Sequence, residues 1–288
     1  MLVAALLIAL SDNVELEALK KVDQSDRHFV STPQEIDWEN ISKRDAARQQ
    51  RVRELLLADQ VHTARDFDNA ALIMQHGNKP SDYLLAHELA SIAAYKGNFG
   101  SLPALAQDRW LDSIGKQQRW GSQFDWEGKV KPLQTKGVVV TDQMRRDLLL
   151  PALDEIQQLG MKASMANLKE KIAYIELRMD NSRWQSSKLL ANKPSIAEAL
   201  SAVQRGELNT AEDYANATIA LATSQKPDEL LLAHELSIIA MARKSPKAPR
   251  LFARTLDRYL ASIGFSPRYL RGQVAPGVAR ELQLTKSS

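Results

Sequence analysis

Residues 63–94 read TARDFDNAALIMQHGNKPSDYLLAHELASIAA, and residues 210–241 read TAEDYANATIALATSQKPDELLLAHELSIIAM. Further on, residues 107–123 read QDRWLDSIGKQQRWGSQ and residues 256–273 read LDRYLASIGFSPRYLRGQ. His87 aligns with His234 at an offset of 147 positions, and Asp108-Arg109 aligns with Asp257-Arg258 at an offset of 149. The second copy therefore carries two extra residues between these points. Self-similarity of this kind marks a duplicated supersecondary unit. Residues kept in both copies are assigned to the fold, and residues kept in one copy are candidates for function.

The spacing of apolar residues is helical, at three and four positions, and no sustained alternation appears. The only β-like segment is Val138-Val139-Val140. Thr63 or Asp66 caps a first helix carrying Phe67, Ala70, Ala71 and Met74, which stops at Gly77. Pro80-Ser81-Asp82 opens a second helix that ends at Gly97, and a third runs from about Leu102 to Ile114. Copy two repeats this plan at Thr210, Lys226-Pro227-Asp228 and Gly264. Alanines at Ala86, Ala90, Ala93 and Ala94 allow helix axes to approach closely. The expected fold is all-α, built of helical hairpin repeats in a tetratricopeptide-like stack with an internal duplication. The expected organisation is an apolar or signal segment at 1–10, a first helical domain at 11–126, a connector at 127–140 and a second helical domain at 141–288. Within the last, Pro151 is expected to break a helix. Leu168, Ile172, Ile175 and Leu177 mark an amphipathic face.

The chain has 288 residues and a formal net charge of +3, so the whole molecule is not a polycation. The charge is uneven: from Arg243 to Ser288 there are ten Lys/Arg and two Asp/Glu. A basic end of this kind meets nucleic acid, anionic lipid or an acidic partner, or is a solvated, loosely ordered terminus. The second reading is preferred, and no nucleic-acid motif accompanies the charge, so a nucleic-acid partner is not expected. The chain has no cysteine, which excludes disulfides, thiolate metal sites and a cysteine nucleophile. The opening MLVAALLIAL is too short to span a bilayer and resembles the apolar region of a secretory signal, though a basic start and a small-x-small cleavage site are missing. Export is favoured slightly over a cytoplasmic location. No other stretch is apolar enough to be transmembrane.

Four short elements occur in order: Asp23-Gln24-Ser25-Asp26-Arg27, Gln75-His76-Gly77, Asp108-Arg109 and Gly121-Ser122-Gln123. In that order and spacing, residues 15–125 or so resemble a bacterial domain family of unknown function whose members carry D-Q-x-x-R, Q-H-G or Q-H-A, D-R and G-T-Q. Ser122 stands where that family has Thr, and copy two has Ala222-Thr223-Ser224 in place of Gln75-His76-Gly77. The resemblance implies a helical fold and frequent export, and no activity.

The candidate ligand-binding residues are Gln75, His76, Gly77, Arg109, Gln123, Asp23 and Asp26, with His76 the one catalytic candidate. His76 sits at a helix C-terminus, where the dipole favours a protonated imidazole; the structural alternative is that Gly77 is a C-cap and His76 caps open carbonyls. Gly121-Ser122-Gln123 is expected to close over the site with backbone donors and an amide, or else to form a turn that packs Trp120. Arg109 is a candidate anion clamp, although Asp108-Arg109 and Asp257-Arg258 occur in both copies and fit helix-to-helix bonding. His87 and His234 read as satisfied, half-buried histidines, since His87-Glu88 lacks the second histidine of H-E-x-x-H. No metal and no cofactor are expected. No phosphate-binding or nucleophile-elbow motif is present. Two functions stay open. One is a non-catalytic module binding a protein or peptide on a concave helical face. The other is an enzyme, with hydrolysis as the reaction His76 offers, or a small-ligand binder using copy one around His76. The first is preferred, and the oligomeric state is not fixed.

Overall fold

The computed structural model describes residues 11–27, 37–125, 129–159, 190, 193–269 and 274–284. MLVAALLIAL and the face of Leu168, Ile172, Ile175 and Leu177 lie outside these. Twelve helices occur among the described residues: α1 (Val14–Ser25), α2 (Trp38–Leu57), α3 (Ala64–Gln75), α4 (Pro80–Lys96), α5 (Leu102–Ser113), α6 (Asp142–Asp147), α7 (Leu153–Leu159), α8 (Ile196–Gln204), α9 (Ala211–Leu221), α10 (Pro227–Ala242), α11 (Ala248–Ser262) and α12 (Pro276–Glu281). The fold is an all-α helical repeat of neighbouring packed helix pairs. Described β structure is limited to two isolated bridges in the connector, Gln118 with Leu133 and Phe124 with Val130.

Local chemistry sets the same boundaries in both copies. Thr63 and Asp66 cap α3 reciprocally, and Thr210 and Asp213 do the same for α9. Each aspartate also receives a backbone N–H from the preceding segment, Asn13 onto Asp66 at 2.7 Å and Leu190 onto Asp213 at 2.8 Å. Gly97, at φ +114°, closes α4 in a left-handed conformation that a side chain would strain. The helix ahead of Pro151 stops earlier, at Asp147, and Leu149 turns the chain at φ +57° before α7 begins. Val138-Val139-Val140 is not a strand. Two of its carbonyls are taken by side chains: Arg119 donates to Val138 O at 2.7 Å and Arg145 to Val140 O at 2.9 Å. Within the basic end, residues 248–262 form α11 with Leu251, Phe252, Thr255, Leu256 and Tyr259 buried.

Helices α3, α4 and α5 pack in succession, and α9, α10 and α11 repeat them. Ala86, Ala90, Ala93 and Ala94 are all buried. The two middle helices, α4 and α10, then pack against each other, so that both copies share one continuous core. His87 Nε2 lies 2.9 Å from His234 Nε2, and Phe252 packs on both rings. These histidines are fully buried rather than half-buried, and each is the other's partner.

The contacts around this point are exchanged between copies. Arg119, after α5, donates Nε and Nη2 to Glu235 on α10 at 2.7 and 2.8 Å. Arg268, after α11, pairs with Glu88 on α4, which also accepts Tyr269 Oη at 2.7 Å. The segments that follow each copy cross over as well. Near α6, Gln143 donates to Leu208 O and Tyr214 to Asp147 of α6. On α12, Arg280 bonds Asp59 and Glu281 bonds Lys96. Residue i meeting j while the equivalent j meets i is the signature of an isologous dimer interface; here it lies within one chain.

The Arg119–Glu235 pair is wholly buried, where two charges are costly unless every polar atom is engaged. Burial opposes charge on Arg119, but the carboxylate beside it holds the guanidinium above its ordinary value. Coulombic attraction from Glu88 does the same for Arg268. The histidines behave oppositely. His87 Nδ1 donates to Pro103 O at 2.8 Å, so Nε2 of the neutral ring accepts and His234 Nε2 donates. Burial pushes His87 down to about 4 and pushes His234 down also. The unfolded chain therefore binds more protons, and stability is lost as pH falls from about 6.5 towards 4. Urea denaturation should show His87 alone removing about 2 kcal/mol between pH 7 and pH 5. A His87→Gln variant should have a shallower pH slope over that window; an unchanged slope would show that the pair is not buried neutral.

Candidate functional site

The candidate residues of copy one come from six places in the chain. Asp23 and Arg27 are four positions apart at the end of α1, which puts them on one helical face. Arg27 Nη1 donates to Asp23 Oδ1 at 3.0 Å and also to the Asp23 carbonyl at 2.9 Å. Asp45 and Arg48, one turn apart on α2, extend the network: Arg27 and Arg48 both donate to Asp45, and Arg48 reaches Asp26 at 2.8 Å. The end of α3 supplies Gln75, His76 and Gly77, with His76 as the C-cap. The start of α4 supplies Asp82 and Tyr83, and α5 supplies Asp108 and Arg109. Gln123 follows in the connector.

His76 Nδ1 lies 3.0 Å from each oxygen of Asp23, whose side chain has no exposed surface. Burial pushes the Asp23 carboxyl up; bonds from His76 and Gln24, with the charge of Arg27, outweigh this and leave it below its ordinary value. The carboxylate fixes the ring with a proton on Nδ1. Among the described residues, Nε2 takes no bond. The His76 side chain keeps 18% of its surface exposed, which suffices for contact with a small molecule.

Arg109 sits on the other side of Gln75. Its Nη1 donates to the Gln75 carbonyl at 2.8 Å and its Nε to Gln123 Oε1 at 3.3 Å. Its guanidinium lies 5.9 Å from the Tyr83 ring centre. No carboxylate bonds it among the described residues. Burial pushes its pKa down; Tyr83 opposes the shift, and the nearby charge of Arg27 adds to it. The Gln75 side-chain oxygen is buried and accepts nothing among the described residues. An under-neutralised cation, an unengaged imidazole nitrogen and an orphan amide oxygen thus surround the end of α3.

The structure corrects several expectations. Gly77 is not a left-handed C-cap: a Cβ there would fall on the Asp82 side chain, so glycine is needed for close approach. Asp82 in turn accepts the N–H of Asn78 and Lys79 and pairs with Arg53, while Tyr83 Oη donates to Gly77 O at 2.6 Å. Asp26 does not face His76; it is held by Arg44 and Arg48. The backbone donors of Ser122 and Gln123 are engaged within the protein. Ser122 N–H goes to Asp108 and Gln123 N–H to the Gln118 side chain. Asp108 also accepts the N–H of Arg119 and Trp120, so it shapes the turn that buries Trp120. Asp257 does the same for Arg268 and Tyr269. The paired D-R elements are structural in this respect: Arg109 caps Gln75 O and Arg258 caps Ser224 O, each across 34 positions. Among the described residues no group of three or more His, Asp or Glu is placed to hold a metal.

Sequence reasoning missed Asp45, Arg48, Asp82 and Tyr83. Tyr83 carried a usable signal, since copy two has Leu230 at the equivalent position just as it has lost Gln75-His76-Gly77. Comparison of the chain with protein-family profiles, curated proteins and solved structures finds no match.

Asp23→Ala leaves buried cationic groups short of a partner and should destabilise the protein by roughly 3 kcal/mol in urea denaturation. Gly77→Ala should cost about 1–3 kcal/mol through overpacking against Asp82. A neutral Gly77→Ala would show that α3 and α4 do not approach as described.

Proposed function

We propose that copy one binds a small anionic ligand, a carboxylate or phosphate, between Arg109 and His76. The observation that carries this reading is the state of Arg109: among the described residues this half-buried guanidinium bonds only a carbonyl and an amide oxygen, with Arg27 repelling it and Asp112 acting on it through charge alone. Such a cation favours a bidentate anion more than a neutral acceptor does. His76, oriented by Asp23, follows Gln75 in sequence and keeps Nε2 without a bond among the described residues, and Gln75 offers an acceptor without a described partner for a ligand hydroxyl or amide. If the ligand carries a hydrolysable bond, Nε2 is the atom placed to take a proton from water. These residues coincide with the elements that carry the resemblance to the bacterial family of unknown function, which supports reading them as one site.

A peptide-binding scaffold on the tetratricopeptide pattern would use a concave face of the stack. Here α4 is buried at every position from Leu84 to Ala94, and α10 at every position from Glu229 to Ala242. A groove for a partner would have to be made from other helices, so the small-ligand reading has more geometric support.

Thermal shift and calorimetry with inorganic phosphate, acetate, citrate and a nucleotide panel test the proposal. A ligand at a hundred times its Kd adds roughly 2.7 kcal/mol of stability. Stabilisation by at least one anion, lost in His76→Ala and in Arg109→Gln when each variant remains folded, is expected. Stabilisation that persists in both folded variants, or none with any anion, would sink the proposal.

A further inference from the structure

Copy two carries its own candidate anion site, away from the one above. A groove of about 650 Å³ opens along α11 and is lined by Arg250, Arg254 and Arg258 together with Ala253, Tyr269 and Leu284. That volume is in the range of small-molecule pockets. The three arginines are spaced four positions apart, so they form one stripe roughly 12 Å long on a single helical face. Their charge is poorly neutralised. Arg254 is exposed and bonds no acceptor among the described residues. Among the described residues Arg250 bonds only the Gln283 carbonyl, and Arg258 only the Ser224 carbonyl. Arg258 Nε is buried with no acceptor among the described residues. Asp257, the one acid among the described lining residues, accepts the N–H groups of Arg268 and Tyr269.

Most of the remaining described lining is apolar. Tyr269 is buried with its hydroxyl turned away to Glu88, which leaves its ring to face the groove. Leu284, Ala253 and Ala261 continue this surface. Copy one has Ser101 and Leu105 where copy two has Arg250 and Arg254, so the stripe belongs to copy two alone.

We infer that this groove binds a small amphipathic anion, with its carboxylate or phosphate on Arg254 and Arg258 and its apolar body against Tyr269 and Leu284. The reading does not depend on the site in copy one. Guanidinium supplies charge-assisted hydrogen bonds to the headgroup, and burial of the body supplies the apolar share of affinity.

The test is fluorescence titration of the full chain with 8-anilinonaphthalene-1-sulfonate, an aromatic anion of suitable size, followed by displacement. Saturable 1:1 binding is expected, weakened at least tenfold in the exposed-residue variant Arg250→Gln/Arg254→Gln and unchanged in His76→Ala. Octanoate and octyl phosphate should displace the dye; 1-octanol and inorganic phosphate should do so at least tenfold less well. Four results would overturn the inference: binding insensitive to the double arginine variant, binding lost in a folded His76→Ala, displacement by 1-octanol or inorganic phosphate as effective as by octyl phosphate, or no saturable binding.

Discussion

Everything in this molecule is arranged around two buried glutamates that are neutralised by the opposite copy. Glu88 and Glu235 occupy the same place on α4 and α10, and each meets an arginine from the loop that follows the other copy's third helix. Either copy alone would carry an unpaired carboxylate in its middle helix and an unpaired guanidinium in its loop. Desolvating such charges costs several kcal/mol each without a partner. Neither copy can therefore adopt this packing by itself, and the duplication is a physical requirement of the fold as well as a trace in the sequence. The histidines between the two pairs obey the same rule in neutral form: one imidazole accepts where the other donates, so no proton is stranded at the centre.

This constraint sorts the repeated residues from the unrepeated ones. Asp108 and Asp257 hold the loops that carry Arg119 and Arg268, and Trp120 and Tyr269 anchor those loops in the core. Arg109 and Arg258 tie the third helix of each copy to the end of its first. With the shared frame accounted for, each copy is free to vary at its outer end. Copy one adds the α1–α2 charge network, with Asp23 facing His76. Copy two lacks that histidine and instead carries an arginine stripe on α11. The equivalent Arg109 and Arg258 stand beside both candidate sites, so one structural arginine is put to two different surroundings.

Much of the fold was legible in the sequence because its signals are local. Thr63 with Asp66, Pro80, Gly97 and Pro151 each act within a few residues, through caps, a fixed φ or a missing N–H. What the sequence did not reveal is which surfaces meet. A repeat offset states that Glu88 and Glu235 are equivalent, but not that each faces the other copy's arginine, because that contact spans 116 positions for Arg119 and Glu235. The signal was present in the joint retention of Ala-His-Glu-Leu and of an arginine followed by an aromatic residue. The candidate site was half legible. Asp23, His76, Arg109 and Gln123 were named from motifs, and two chains of contacts link them: Asp23 to His76, and Gln75 through Arg109 to Gln123. Gly77 was misread because close approach and left-handed turns both select glycine, and only the position of Asp82 separates them. Val138-Val139-Val140 was misread because β propensity takes no account of arginine side chains that claim the carbonyls.

The most direct test of the central claim is a double-mutant cycle on the buried pair, with Arg119→Met, Glu235→Leu and the double variant compared by urea denaturation. Each single change should cost about 3 kcal/mol or more, since it strands a buried charge. The double variant should be more stable than the sum of the two losses predicts, by roughly 2 kcal/mol or more. Losses that add to within about 0.5 kcal/mol would mean that the two residues do not neutralise each other, and the account of two interlocked copies would fail.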